Sequence, residues 1–214
     1  MTPEETAIFK QILQNREACL AWDTMDMGYI RPEISPLYEI RTVPHVAWQA
    51  KSVPILGALM LKAIEVLKKR LAKGWLEEGH GPYRNSWFVV AKKDGNVRLI
   101  NSATRLNGVT IRDALLLRGC DEFAESFANC QILSGLDLLS GYDHCALAPA
   151  SRDLTAFSTP LGVLRMTTLP QGFTNSPGHF IRVMARILFD IPKEKADFFF
   201  NDVPVKGPTT RYAN

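Results

Sequence analysis

Two carboxylates and a group of cations carry most of the chemistry this sequence could perform. Asp137 closes an apolar run, Gln131-Ile-Leu-Ser-Gly-Leu-Asp137-Leu138, and Asp202 follows Phe198-Phe199-Phe200-Asn201, 65 residues further on. Two strands lying side by side would bring both acids together. Such a pair suits Mg²⁺, a hard cation that is bound by one or two carboxylates plus substrate phosphates. In two-metal phosphoryl transfer, ions about 3.5–4 Å apart clamp the attacking and leaving oxygens. Spacing alone leaves this open, because a strand-end acid and a turn acid with no common task fit the same pattern. The cations are Lys92 and Lys93 in Lys-Lys-Asp-Gly-Asn, with Arg98 just beyond.

The elements that must position these groups read as a mixture of helices and antiparallel hairpins, an α+β pattern without βαβ alternation. Ser86–Ala91 and Val97–Ile100 read as strands joined by the turn Lys92–Asn96, which places both lysines at a hairpin tip. Gln131–Leu138 reads as a short buried strand ending in an acid. Phe198–Phe200 and Val203–Val205 read as strands around an Asn201-Asp202 turn. A helix is expected over about 54–76, with Leu59, Ala63, Val66, Leu67, Leu71 and Trp75 at helical spacing and Lys62, Lys69 and Lys73 on another face. Another begins at Asn175-Ser176-Pro177, with Phe180, Ile181, Met184, Ile187 and Leu188 as its apolar face. Thr2-Pro3-Glu4-Glu5 is an N-terminal helix signature. Residues 23–53, punctuated by Gly28, Pro32, Pro36 and Pro44, read as an extended connector crossing the surface.

Composition narrows the class. The 214 residues are 46% hydrophobic and 22% charged, which fits one globular domain with a small appendage rather than a disordered or fibrous chain. No run approaches the roughly 20 apolar residues of a membrane span, and the acidic start is not a secretory signal, so an intracellular protein is expected. Cys19, Cys120, Cys130 and Cys145 show no CxxC pairing and read as reduced, mostly buried thiols. The net charge of +3 is unevenly spread: residues 1–50 carry −3, 51–118 carry +8 and 119–214 carry −2. A basic module between acidic ones attracts polyanions, although a solvated lysine face gives the same count.

Several stretches in order carry a resemblance. They are Pro82-Tyr83-Arg84-Asn85-Ser86-Trp87 leading into Val90-Ala91-Lys92-Lys93-Asp94-Gly95, Arg98 through Leu106-Asn107, Leu136-Asp137-Leu138-Leu139-Ser140-Gly141-Tyr142, Leu169-Pro170-Gln171-Gly172-Phe173-Thr174-Asn175-Ser176-Pro177, and Phe199-Phe200-Asn201-Asp202-Val203. From about Pro44 onward the chain resembles the fingers and palm of a reverse transcriptase from a gypsy-type LTR retrotransposon polyprotein. The resemblance implies a leader helix and connector over 1–43 and the polymerase fragment over 44–214. It implies that Asp137 and Asp202 hold metal, aided by the backbone carbonyl of Leu138, with two Mg²⁺ ions in an active site. It further implies that Tyr142 closes over the sugar and rejects a 2′-hydroxyl by clash, although a core tyrosine would read the same. Gln171 and Phe200 would lie along the incoming nucleotide, while Lys92, Lys93 and Arg98 would grip its triphosphate. The partners implied are an RNA or DNA template–primer and deoxynucleoside triphosphates.

The sequence departs from the family in three places. Asn201 stands where the last motif has its first aspartate, bringing an amide oxygen but no charge. Ser102 stands where relatives have an aspartate. The chain ends at Asn214, so the resemblance leaves the thumb and any RNase H region outside it, and a partner chain would be one source of a thumb. The expected function is that of a reverse transcriptase fragment, ancestrally an RNA-directed DNA polymerase, impaired alone by Asn201 and the missing thumb. The alternative is a non-catalytic nucleic-acid-binding remnant of a transposable element.

Overall fold

The computed structural model describes residues 2–93, 95–114 and 119–207. Its helices are α1 (Pro3–Asn15), α2 (Gly57–Ala72), α3 (Thr104–Val109), α4 (Cys120–Glu125), α5 (Pro149–Arg152) and α6 (Ser176–Ile187). The strands are β1 (Leu76–Glu78), β2 (Trp87–Ala91), β3 (Val97–Asn101), β4 (Leu133–Asp137), β5 (Phe157–Thr159), β6 (Gly162–Met166) and β7 (Asp202–Lys206). They form three antiparallel sheets, β1-β6-β5, β2-β3 and β4-β7. The α+β expectation holds. No helix among the described residues is long and apolar enough to cross a membrane.

Two apolar clusters organise the chain. One lies under α2, where Leu67 meets Leu76, Trp87, Phe157, Leu164 and Met166 and so joins the helix to the first two sheets. The other surrounds α6, whose Phe180, Val183 and Met184 pack with Leu106, Leu147, Leu169, Phe173 and Val203. Tyr38, Ile40 and Trp48 belong to this second cluster. The stretch expected to cross the surface therefore threads into the core, despite its extended backbone. Its apolar residues are too sparse and irregular to announce burial by periodicity.

The helix expected over 54–76 is shorter, for a reason visible in its backbone. Gly74 adopts φ 77°, the Gly74 N–H donates to the Leu71 carbonyl at 2.9 Å, and the Trp75 N–H donates to the Arg70 carbonyl at 2.9 Å. This is a glycine-dependent helix stop that satisfies two of the last carbonyls. It releases Trp75 into the core and Leu76 into β1. The N-terminal helix is capped as its sequence implies, with Thr2 and Glu5 bonded reciprocally, but Ile8, Ile12 and Leu13 are all exposed.

Other expectations need correcting. β4 is exposed along its whole length rather than buried, because it pairs with β7 alone. Phe198–Phe200 is not a strand: only Phe199 bridges back, to Asp202, so Asp202 opens β7 and the turn itself is Phe200-Asn201. Ile187 is exposed, while His179 and Val183, not expected on the apolar face of α6, are buried. All four cysteines are free, yet only Cys145 is buried, and Cys19 and Cys120 are exposed.

Candidate active site

The carboxylates meet across a strand pair. In the β4-β7 register, Asp137 stands directly opposite Asp202. Directly opposed residues of an antiparallel pair share one face with Cβ atoms about 4.5–5.5 Å apart. Both acids are exposed, and neither makes an ion pair among the described residues. Two like charges facing each other without a cation destabilise a strand pair. Their oxygens are hard donors of the kind Mg²⁺ takes, and together with substrate phosphates they suffice for one such ion. A cluster of three or more acidic, histidine or cysteine ligands is absent among the described residues.

Asn201 is bonded to the first of them. Its Nδ2 donates to Asp137 Oδ1 at 2.7 Å, and its backbone carbonyl accepts from the Leu138 N–H at 3.0 Å. The turn that presents it is tight: Phe199 and Asp202 exchange both backbone hydrogen bonds, at 2.9 and 3.1 Å, leaving two residues to reverse the chain. Phe200 takes φ 55° to do so. For a bulky residue the left-handed region is a genuine outlier, costing about 1–2 kcal/mol. The ladder to β4 holds it there.

Immediately after Leu138 the chain turns through Ser140, also left-handed at φ 50°, into a 3₁₀ turn, Gly141–His144. Gly141 is required there, since a Cβ would lie 2.6 Å from Phe180 Cζ. That closeness lets Tyr142 stand edge-on against Phe180, with ring centroids 5.4 Å apart. Tyr142 is half-buried, and burial raises its hydroxyl pKa, so the ring stays neutral at physiological pH. Leu138, Tyr142, Gln171, Phe180, Phe200 and Asn201 line one small cavity of about 190 Å³.

A second cavity, of about 280 Å³, adjoins it, with Ser140 and Gln171 common to both. Its walls include Lys92 and Arg98 from the β2-β3 hairpin and Lys69 and Arg70 from α2, against a single acid, Asp143. Arg98 projects outward where its neighbour Val97 is buried, following the strand alternation. Lys93 is exposed beside the tip and lines neither cavity. Ser102 is spent locally, its Oγ 3.1 Å from Thr104 Oγ1.

Gln171 is exposed, but its loop is fixed by residues that sequence reasoning gave no role. Asn107 Nδ2 donates to the Gly172 carbonyl at 2.9 Å, and Asn107 Oδ1 accepts from the Thr174 N–H at 2.9 Å. Ser176 Oγ donates to the Pro170 carbonyl at 2.8 Å. Asn107 ends the stretch from Arg98 through Leu106-Asn107, yet its task depends on partners more than 60 residues away and has no local signal.

Residues 90–212 match the family described as reverse transcriptase (RNA-dependent DNA polymerase). The retrovirus-related Pol polyprotein from transposon 297 of Drosophila melanogaster is 26% identical over 159 residues, 72% of this chain and 15% of the relative. The corresponding polyprotein from transposon gypsy of the same fly is 28% identical over 155 residues, 70% of this chain and 15% of the relative. Among solved structures, the foamy viral protease-reverse transcriptase in complex with RNA/DNA hybrid superposes with a TM-score of 0.86 at 19% identity, covering 97% of this chain and 27% of that one. The chain thus spans about a seventh of the length of these transposon relatives and shares the foamy viral fold. With Asp137, Tyr142, Gln171 and Asp202 all inside the matched span, the chain belongs to the reverse transcriptase family.

Proposed function

We propose that this chain supplies the fingers and the catalytic part of the palm of an RNA-directed DNA polymerase, adding deoxynucleotides to a primer 3′-hydroxyl on an RNA or DNA template. The observation that carries the reading is the alignment of Asp137 with Asp202, which share one cavity, while their chain neighbours Leu138 and Asn201 line the cleft that Lys92, Arg98, Tyr142 and Gln171 wall. Lys92 and Arg98 hold the triphosphate oxygens, Lys93 adds charge at the entrance, and Gln171 and Phe200 flank the nucleoside. The Tyr142 ring closes the sugar slot, so a 2′-hydroxyl meets it sterically. Asp137 and Asp202, with the Leu138 carbonyl, would hold Mg²⁺, which supplies Lewis-acid stabilisation of the charge on the transferring phosphate.

Asn201 weakens this site. Loss of one preorganised electrostatic group costs about 10²–10³ in rate. Primer extension on an RNA template with Mg²⁺ or Mn²⁺ tests the reading. Little extension is expected from the unmodified chain, and what there is must vanish with Asp137→Ala. Activity insensitive to Asp137→Ala would refute the assignment, and robust Mg²⁺-dependent extension would refute the impairment.

One observation favours a second reading, a non-catalytic nucleic-acid binder. The Asn201 amide already occupies an Asp137 oxygen that metal would need. In that case nucleic acid would bind through the basic fingers, with no extension under any divalent ion.

A further inference from the structure

The 3₁₀ turn that presents Tyr142 to the small cavity is anchored from its other side. Asp143, the next residue, lies in the wall of the adjoining cavity instead and is only 4% exposed. Its carboxylate accepts from Arg70 Nη2 at 2.5 Å, from Arg70 Nη1 at 3.1 Å and from Thr168 Oγ1 at 3.1 Å. The Arg70 guanidinium lies over the buried Trp75 ring, 5.1 Å from its centroid. A bidentate, stacked arginine is held in direction as well as distance.

Arg70 sits in the last turn of α2, and the same helix reaches the opposite wall of the cleft. Lys62 Nζ donates to the Gly95 carbonyl at 2.6 Å, at the tip of the β2-β3 hairpin. α2 is therefore a strut, tied at one point to the hairpin that carries Lys92 and at another to the turn that carries Tyr142. The cations at one end and the ring at the other fix how deep a bound triphosphate sits relative to the sugar slot.

We infer that the Arg70–Asp143 pair is a positioning element for sugar selection, setting the Tyr142 ring against the phosphate-binding hairpin. This rests on the polymerase reading above. A steric filter works only when its wall is held, because a turn free to recede would admit the 2′-hydroxyl. The bland role, simple support of the fold, predicts that phosphate binding and sugar selection fail together.

The test compares dissociation constants of dATP, ATP and inorganic tripolyphosphate for the full chain in Mg²⁺ by equilibrium dialysis. Removing one partner alone would strand a buried charge, so the principal variant is Arg70→Met with Asp143→Leu, a replacement of a kind buried ion pairs tolerate. Arg70→Lys is the second, keeping the charge and losing the bidentate grip. The unmodified chain should favour dATP over ATP by about tenfold or more, the range a shaped pocket achieves against one added group. In the double variant that preference should fall to near parity, with ATP gaining relative to tripolyphosphate whatever the loss of Arg70 from the cavity wall costs all three, and Arg70→Lys should fall between. A preserved preference in both variants overturns the inference, as does a fall to parity in which ATP gains nothing relative to tripolyphosphate. Should the double variant not fold, Arg70→Lys alone decides between the same outcomes. Failure of the polymerase reading shows separately, as an unmodified chain that binds neither nucleotide or binds both equally, and it removes the inference with it.

Discussion

Replacing Asn201 by Asp turns a hydrogen bond into a repulsion, and the consequence can be sized. In the native arrangement the amide donates to Asp137 at 2.7 Å, with Asp202 opposite across the strand pair. Asn201→Asp removes that donor and places three carboxylates at one end of an exposed ribbon. Losing the hydrogen bond costs about 1 kcal/mol. The added repulsion at roughly 4 Å costs about 1 kcal/mol in a water-like dielectric, the appropriate one for exposed side chains. A deficit of about 2 kcal/mol should lower the melting temperature by about 4–8 °C for a chain of this size. Divalent cation should reverse it, since a ligand at 100 times its dissociation constant stabilises by about 2.7 kcal/mol. Differential scanning fluorimetry in EDTA and in rising Mg²⁺ is sufficient as an assay. The unmodified chain should respond weakly to Mg²⁺, whereas Asn201→Asp should melt lower in EDTA and recover steeply. If the variant were as stable as the parent in EDTA and indifferent to Mg²⁺, the three side chains would not share a site.

Two further outcomes are expected. The fragment should bind nucleic acid with a salt dependence of about 0.7–0.9 in log slope per phosphate neutralised, and Lys92, Lys93 and Arg98→Ala together should flatten that slope where Asp137→Ala does not; an unchanged slope in the triple variant, measured by fluorescence anisotropy, would make the hairpin a solvated tip. Stability should also fall with acid through His179. Burial above all, then Arg182, depresses its pKa to about 4 from 6.5, against a smaller opposing pull from Asp113. The unfolded chain therefore binds the proton first. Stability is full above about 6.5 and declines as pH falls towards 4, by up to about 3 kcal/mol, and chemical denaturation of His179→Leu should show a flatter profile over that window.

What the sequence disclosed and what it concealed follow from the range of the interactions. The β2-β3 hairpin was legible because its turn and alternation are local, and the Lys92 and Arg98 positions came with it. The apolar spacing overruns the stop of α2 because Trp75 continues it past Gly74, and only the backbone conformation of that glycine separates helix from strand. Residues 23–53 read as surface because their prolines break every period, yet Tyr38 and Ile40 reach the α6 core through partners more than 100 residues away, such as the bridge of Tyr38 to Leu147. β4 looked buried from its leucines alone. Burial of a strand depends on what covers it, which no local pattern records.

The same distinction applies inside the site. Asp137 and Asp202 were identifiable as candidates by residue type, but their meeting is a matter of register: a slip of one residue would turn Asp202 to the opposite face. That register is held by the Phe200 turn at one end and by the Leu138 N–H bonded to the Asn201 carbonyl within it. Asn201 thus serves two roles at once. Its backbone and turn conformation keep the two aspartates aligned, while its side chain satisfies the Asp137 carboxylate that metal would otherwise hold. An asparagine here preserves the geometry of the site and reduces its charge, which is why the fold can remain that of a polymerase while catalysis is expected to fall.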